Sequence, residues 1–203
     1  ALGHSIFDSL KEKNIVFEGW KDKKLFKLAL EKIPKEYKKL KPSFDKVGLC
    51  HLQGVKDVGR MIPILELANR KYLILSDNDN VAIEAQKKFR GEGLWKRYTE
   101  LLPLDGIVTG EDFVKEHAFD KPIAEVRKKY PELPEFTRAD LLGAGGKIHC
   151  IKQWLSNGKL QPSEQKEMVD FIKDEIFNDL KPADVEYKYY QLLAKLSELI
   201  TAN

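Results

Sequence analysis

Apolar residues in the first half of the chain come in short runs, and each run closes in a turn. Asn14-Ile15-Val16-Phe17 stops at Glu18-Gly19, Lys46-Val47-Gly48-Leu49-Cys50-His51-Leu52 stops before Gly54, and Tyr72-Leu73-Ile74-Leu75 stops at Ser76-Asp77-Asn78-Asp79-Asn80. Runs this short, rich in β-branched and aromatic residues and closed by Gly or Asn, predict buried strands. Between them the apolar period lengthens to three or four. From Asp22 onward Leu25, Phe26, Leu28, Ala29 and Ile33 form one helical stripe, with Pro34 and Pro42 ending regular structure. A helix is predicted over residues 55–68, with Val58, Ile62, Leu65 and Ala68 inward, and Pro63 within it requires either a kink or a late start. Another runs from Ala82 towards Phe89 and is broken by Gly91 and Gly93. Short helices are expected over residues 5–10 and 94–101, and a fourth strand over 105–113, ending in the acidic turn Thr109-Gly110-Glu111-Asp112-Phe113.

After residue 118 the strand patterns vanish. Pro122, Pro131 and Pro134 punctuate short helices, and longer ones are expected over 148–155, 163–180 and 183–200. Strand–helix alternation followed by helices alone predicts an α/β fold. It would be a parallel sheet flanked by helices, carrying a C-terminal helical subdomain, with units at 1–117 and 118–203.

Composition narrows the classes. The 203 residues, 42% hydrophobic and 33% charged, suit one globular domain with an appendage. No apolar run approaches the roughly 18 residues of a membrane span, and the start has no basic region leading into an apolar core. A cytoplasmic protein without a membrane partner is expected. Cys50 and Cys150 read as reduced thiols rather than a disulfide, and neither has a second Cys or a His at zinc-ligand spacing. A net charge of +3 decides nothing about nucleic acid. Its distribution matters more: Lys32 to Lys41 is strongly basic, either a solvated helix end or an edge that contacts phosphates.

The acids carry the chemistry. In an open parallel sheet, sites gather outside the carboxyl ends of the strands. Glu18, Asp77 and Asp79 are therefore expected to meet at one edge. Asp22 lies one helical turn beyond Glu18, so it either joins them or caps its helix. Glu111 and Asp112 are further candidates, though an acidic helix start explains them equally well. Close carboxylates repel by up to ~4 kcal/mol per pair at an effective dielectric of ~20. A hard divalent cation with oxygen ligands is the simplest relief, and such ions drive phosphodiester cleavage by activating water and relieving charge on the leaving oxygen. Glu18 would be a ligand or a proton acceptor. Lys147 follows Gly143-Ala144-Gly145-Gly146, a stretch without the spacing of a phosphate loop. It is the candidate cation for the transition state, carried on a flexible loop. Lys21, Lys23 and Lys24 are assigned to contacts with phosphates rather than to chemistry, and Trp20 either stacks on a base or packs.

Strand–Glu18-Gly19, Gly54 after a second strand, and Asp77-Asn78-Asp79 after a third resemble the Toprim pattern. The string Val16-Phe17-Glu18-Gly19-Trp20-Lys21-Asp22-Lys23-Lys24-Leu25-Phe26 and the Thr109–Phe113 turn look most like the branch found in OLD-family (overcoming lysogenization defect) nucleases. The resemblance covers Lys13 to about Phe113. It implies a Toprim-like, Rossmannoid sheet and a metal-dependent DNA endonuclease or nickase working with two ions. Mg²⁺ or Mn²⁺ would be the cofactor and Ca²⁺ a non-catalytic occupant. Glu18, Asp22, Asp77, Asp79, Glu111 and Asp112 would be the ligand set, with Glu18, Asp77 and Asp79 catalytic; Lys147, beyond the stretch the resemblance covers, joins the catalytic set on its glycine context. DNA and an N-terminal ATPase domain of the same native chain would be partners, and a homodimer is compatible with it. The chain departs from the pattern at Asn80-Val81-Ala82, where a Gly often follows the aspartates. A stand-alone hydrolase of RNA or another phosphoester, and a non-catalytic metal-stabilised nucleic-acid-binding module, are the alternatives.

Overall fold

The computed structural model describes residues 10–202. The helix expected over 5–10 lies almost wholly outside them. Four strands, β1 (Lys13–Phe17), β2 (Val47–His51), β3 (Lys71–Ser76) and β4 (Leu94–Arg97), form an all-parallel sheet in the order β2-β1-β3-β4. The register divides the side chains between two faces, because successive residues of a strand point oppositely. Val16 lies beside Cys50 and Ile74, and Ile74 beside Trp95. This row packs under α3 (Val58–Leu67) and α4 (Asn80–Lys88). Ile15, Phe17, Leu73 and Leu75 form the opposite face, covered by α1 (Trp20–Glu31) and the C-terminal helices.

Chain direction follows from these faces. From β1 the chain runs outward to the edge strand β2 through α1 on one face. It then returns through α3 on the other face to β3, and continues through α4 to β4. Strand order therefore reverses between β1 and β3. At such a switch point the connections leave in opposite directions and a crevice opens beyond the strand ends.

Two predicted elements differ. Residues 94–101 form a strand and then the four-residue helix α5 (Tyr98–Leu101), not one helix. Trp95 is the reason: it is buried against β3, and its indole N–H donates to Ser76 Oγ at 2.9 Å. Residues 105–113 form no strand. Asp112 Oδ2 accepts the N–H groups of Val108 and Thr109 at 2.8 Å each, so a side chain takes donors that a neighbouring strand would need. The segment ends in a 3-10 turn, Gly110–Phe113. Smaller differences have local causes. A 3-10 turn (Lys35–Leu40) and α2 (Lys41–Asp45) fill the stretch between the prolines, with Pro42 in the first turn of α2 where no intrahelical N–H is needed. Ala68 is exposed just past the end of α3.

The tail comprises α6 (Asp120–Lys129), α7 (Lys147–Asn157), α8 (Pro162–Asp179) and α9 (Tyr187–Ala202). One apolar cluster runs from Ile15 and Phe17 through Phe113 to Ile172 and Leu193, so residues on both sides of position 117 share a core. Cys50 and Cys150 are free and buried. Among the described residues no helix is long and apolar enough to cross a membrane.

Asp112 also accepts the Lys147 N–H at 2.6 Å, which makes three backbone donors on one buried carboxylate. Asp112→Ala orphans all three, and each buried orphan costs about 1–3 kcal/mol. Thermal melts should show a loss of at least about 5 °C, by the scaling for a chain of this size. An unchanged melting temperature would mean that the 105–113 segment is held some other way.

Candidate functional site

Glu18 extends the β1 ladder by one residue. Its N–H donates to Leu75 O at 3.1 Å, and its own carbonyl accepts from Gly54 N–H at 3.0 Å. With the backbone pinned on both sides, the side chain reaches across the switch point, and Oε2 accepts the Asp77 N–H at 3.1 Å. Asp77 Oδ1 in turn accepts the Gly110 N–H at 3.2 Å. Asn78 N–H donates to Val108 O at 2.7 Å, so the 105–113 segment is tied across the end of β3. Gly110 is demanded by space: a Cβ there would stand 2.5 Å from Asp22 Oδ1. Asp22, in the first turn of α1, accepts Gly19 N–H at 3.2 Å on Oδ2 and the Tyr98 hydroxyl at 2.8 Å on Oδ1. Glu111 is buried and pairs with Lys173 of α8 at 2.9 Å.

Burial and mutual repulsion show in the titration of these groups. Burial, then the charges of Asp22 and Asp79, push Glu18 up to about 7, against the Asp77 N–H and Lys173. Burial and then Glu111 push Asp22 up to about 6, with the Tyr98 hydroxyl and Lys173 opposing. Asp77 is raised well above the carboxylate range by burial, Asp22, Glu18 and Glu111. Burial works against the ammonium of Lys173, but Glu111, Asp77 and Asp22 outweigh it and hold the lysine above its ordinary range. Burial and Asp22 keep the Tyr98 hydroxyl protonated, so it remains a donor.

The fold thus brings Glu18, Asp22, Asp77 and Glu111 together around Lys173. Asp79 stands at the margin. Its Oδ1 caps α4 by accepting Ala82 N–H at 2.8 Å, while its charge still reaches Glu18. Asp112 spends its oxygens on backbone amides. Lys147 does not carry its ammonium to the acids: it is 3% exposed, bonded to Val114 O and paired with Glu116 at 2.7 Å. Its position is the first residue of α7, after Gly146 at φ +82°. Lys173 holds the place that the glycine stretch suggested for Lys147. One signal for it exists in the sequence. Val169, Lys173 and Phe177 fall at successive i+4 positions, and the two apolar members are buried, so the lysine sits on an inward face. Two of the proposed phosphate contacts are otherwise engaged: Lys21 pairs with Asp174 at 2.6 Å, and Lys24 bonds the carbonyls of Phe177 and Asn178 at the end of α8. Lys23 stays near Lys27 and His51. Burial and Lys27 lower Lys23, and burial, Lys23 and Lys27 lower His51.

Glu18, Asp22, Asp77, Glu111 and Lys173 line a cleft of about 350 Å³ together with Trp20, Lys21, His51 and Gln53. Among the described residues no three side chains form a ready-made metal cluster. The donor chemistry nonetheless fits a hard divalent cation. Only carboxylate oxygens are offered, and Glu18 Oε1, Asp77 Oδ2 and Glu111 Oε2 carry no hydrogen bond among the described residues.

No protein-family model and no curated protein matches the sequence. In structure the chain is similar to the C-terminal region of the Burkholderia pseudomallei OLD protein, at 11% identity and a TM-score of 0.43, covering 94% of this chain and 99% of that one. The functional reading rests on the side chains at the cleft.

The raised acids give a signed pH dependence. A carboxyl that titrates near 7 when folded and near 4.5 when unfolded favours the folded state at low pH, and that contribution is lost as pH rises between the two values. In chelator, the melting temperature should fall from pH 5 to pH 8. Asp77→Asn keeps an acceptor for the Gly110 N–H and removes one charge. At pH 8 it should melt about 2–8 °C higher, equivalent to roughly 1–2 kcal/mol at this chain length. A melting temperature that rises over this pH range in chelator would contradict the assignment.

Proposed function

We propose that this chain is a divalent-metal-dependent phosphodiester hydrolase that nicks or cleaves DNA. The observation that carries the reading is four carboxylates, Glu18, Asp22, Asp77 and Glu111, set against one ammonium, Lys173, at the switch point of a parallel sheet. Glu18, Asp77 and Glu111 would hold a metal ion through their unbonded oxygens, with Asp22 and Asp79 adding charge. Mg²⁺ or Mn²⁺ bound there would polarise a phosphoryl oxygen and acidify a water. The resemblance of the Glu18 and Asp77-Asn78-Asp79 motifs to Toprim nucleases points the same way.

The chain's own groups fit the remaining tasks. Lys173 stays charged because Glu111, Asp77 and Asp22 hold its proton, so it can meet negative charge that builds on the phosphate. Glu18, raised to about 7 in the metal-free protein, would give up its proton as the ion binds and serve as a ligand. Lys23 and Lys27, one helical turn apart on α1, would add positive charge near the cleft that suits a polyanionic strand.

The test is conversion of supercoiled plasmid to nicked and linear forms. Activity is expected with Mg²⁺ or Mn²⁺ and not in EDTA, and Asp77→Ala should abolish it. Lys173→Ala should slow cleavage by about 10²–10³-fold, the usual loss for one preorganised charge-stabilising group. Nicking that persists in EDTA or in Asp77→Ala would sink the proposal. RNA cut in preference to DNA would move it to the alternative substrate.

A further inference from the structure

Trp20 is the first residue of α1, two positions from Glu18, and it lines the cleft with Glu18, Asp77 and Lys173. It is 42% exposed, whereas Trp95 and Trp154 are 7% and 4% exposed. The other two indoles also have partners for their N–H: Ser76 Oγ for Trp95 and Pro134 O for Trp154, both at 2.9 Å. The Trp20 N–H has none among the described residues.

The ring is nevertheless held in place. Phe177 meets it edge-on, with centroids 6.3 Å apart and planes at 75°. Lys21 Nζ lies over one face of the ring, 5.5 Å from its centroid, and that lysine is fixed by Asp174 at 2.6 Å, so only the opposite face is left for a base. A tryptophan that served only to pack would be covered by these neighbours. This one is braced by them and left open to the cleft. A rigid aromatic that is already oriented loses little entropy when it binds.

We infer that Trp20 is a stacking platform for an unpaired base, so that the strand entering the cleft is single-stranded DNA. The choice of DNA rests on the nuclease reading. The requirement for an unpaired base comes from the ring. An aromatic face can stack only on a base whose own face is free, and in a duplex interior those faces are covered by neighbouring bases. The residues of α1 then divide the work. Trp20 takes a base beside α8, while Lys23 and Lys27 on the same helix as Trp20 are left for the phosphates.

The test compares three oligomers in Ca²⁺ and in EDTA: ten-residue oligothymidylate, an abasic oligomer with the same phosphates, and a duplex. Oligothymidylate should quench wild-type tryptophan emission, and Trp20→Phe, which keeps only Trp95 and Trp154, should lose that quenching. Trp20→Ala should weaken oligothymidylate binding about 5- to 100-fold, the range for one lost base–aromatic stack. Binding of the abasic oligomer and the duplex should change less than about 2-fold, as expected for contacts made by phosphates. Trp20→Phe should retain most of the affinity, which separates loss of stacking from loss of fold. Equal affinity of Trp20→Ala and wild type for oligothymidylate, or equal quenching by the abasic oligomer, would overturn the inference. The two readings also fail separately. Quenching and affinity that behave as stated, in a protein that nicks nothing, would remove the nuclease and leave the platform. A metal-dependent nickase indifferent to Trp20→Ala would do the reverse.

Discussion

Four carboxylates held largely out of water against one ammonium set the terms for the rest of this structure. Each close pair of like charges costs up to ~4 kcal/mol at an effective dielectric of ~20. A hydrogen bond to a charged group returns about 1.5–3 kcal/mol. The bonds present here, Asp77 N–H to Glu18, Gly110 N–H to Asp77, and the Tyr98 hydroxyl and Gly19 N–H to Asp22, therefore fix orientation without removing the repulsion. Burial first, and then the repulsion that is left over, displaces Glu18, Asp22 and Asp77 upward. A fold that keeps such a cluster gives up stability for it. On the proposed reading, a divalent cation would recover that stability and give the cluster a chemical use.

The fold is arranged around the cluster. Glu18 and Asp77 end the two strands between which the sheet order reverses, so they meet where α1 and α4 leave towards opposite faces. Asp22 comes from α1, Glu111 from the tied-down turn after α5, and Lys173 from α8. The last is the most consequential, because it links the helical tail to the acids. The shared core that runs from Ile15 to Leu193 keeps α8 in position against the sheet. Remove the tail and the cluster loses the one counter-charge that the described residues give it.

Much of this was legible in the sequence. Short apolar runs ending in Glu18-Gly19 and in Asp77-Asn78-Asp79 located strands, turns and acids together, because a strand's period of two gives way abruptly to a turn. The misreadings have physical causes. Ile107-Val108-Thr109 has the composition of a strand, but a side chain four residues on, Asp112, takes its amides. Residues 94–97 are too few and too mixed to separate a strand from a helix by periodicity, and only burial of Trp95 on β3 decides. Glycines before Lys147 suggested a mobile cation, yet Gly146 serves to bring the Lys147 amide onto Asp112, and the ammonium is buried with Glu116. The cation that does meet the acids lies 155 positions from Glu18, on a helix whose pattern reads as core. Tertiary packing alone brings them together.

The central claim is that this cluster is a divalent-cation site whose acids hold protons until the ion arrives. Titration calorimetry with Mn²⁺ at pH 7, repeated in two buffers of different ionisation enthalpy, tests it directly. Because Glu18 titrates at about 7 and Asp77 is raised well above its usual range, binding should release protons, and the apparent enthalpy should differ between the buffers. The heat should vanish in Asp77→Asn. Saturable Mn²⁺ binding with no proton release, or binding unchanged by Asp77→Asn, would contradict the account.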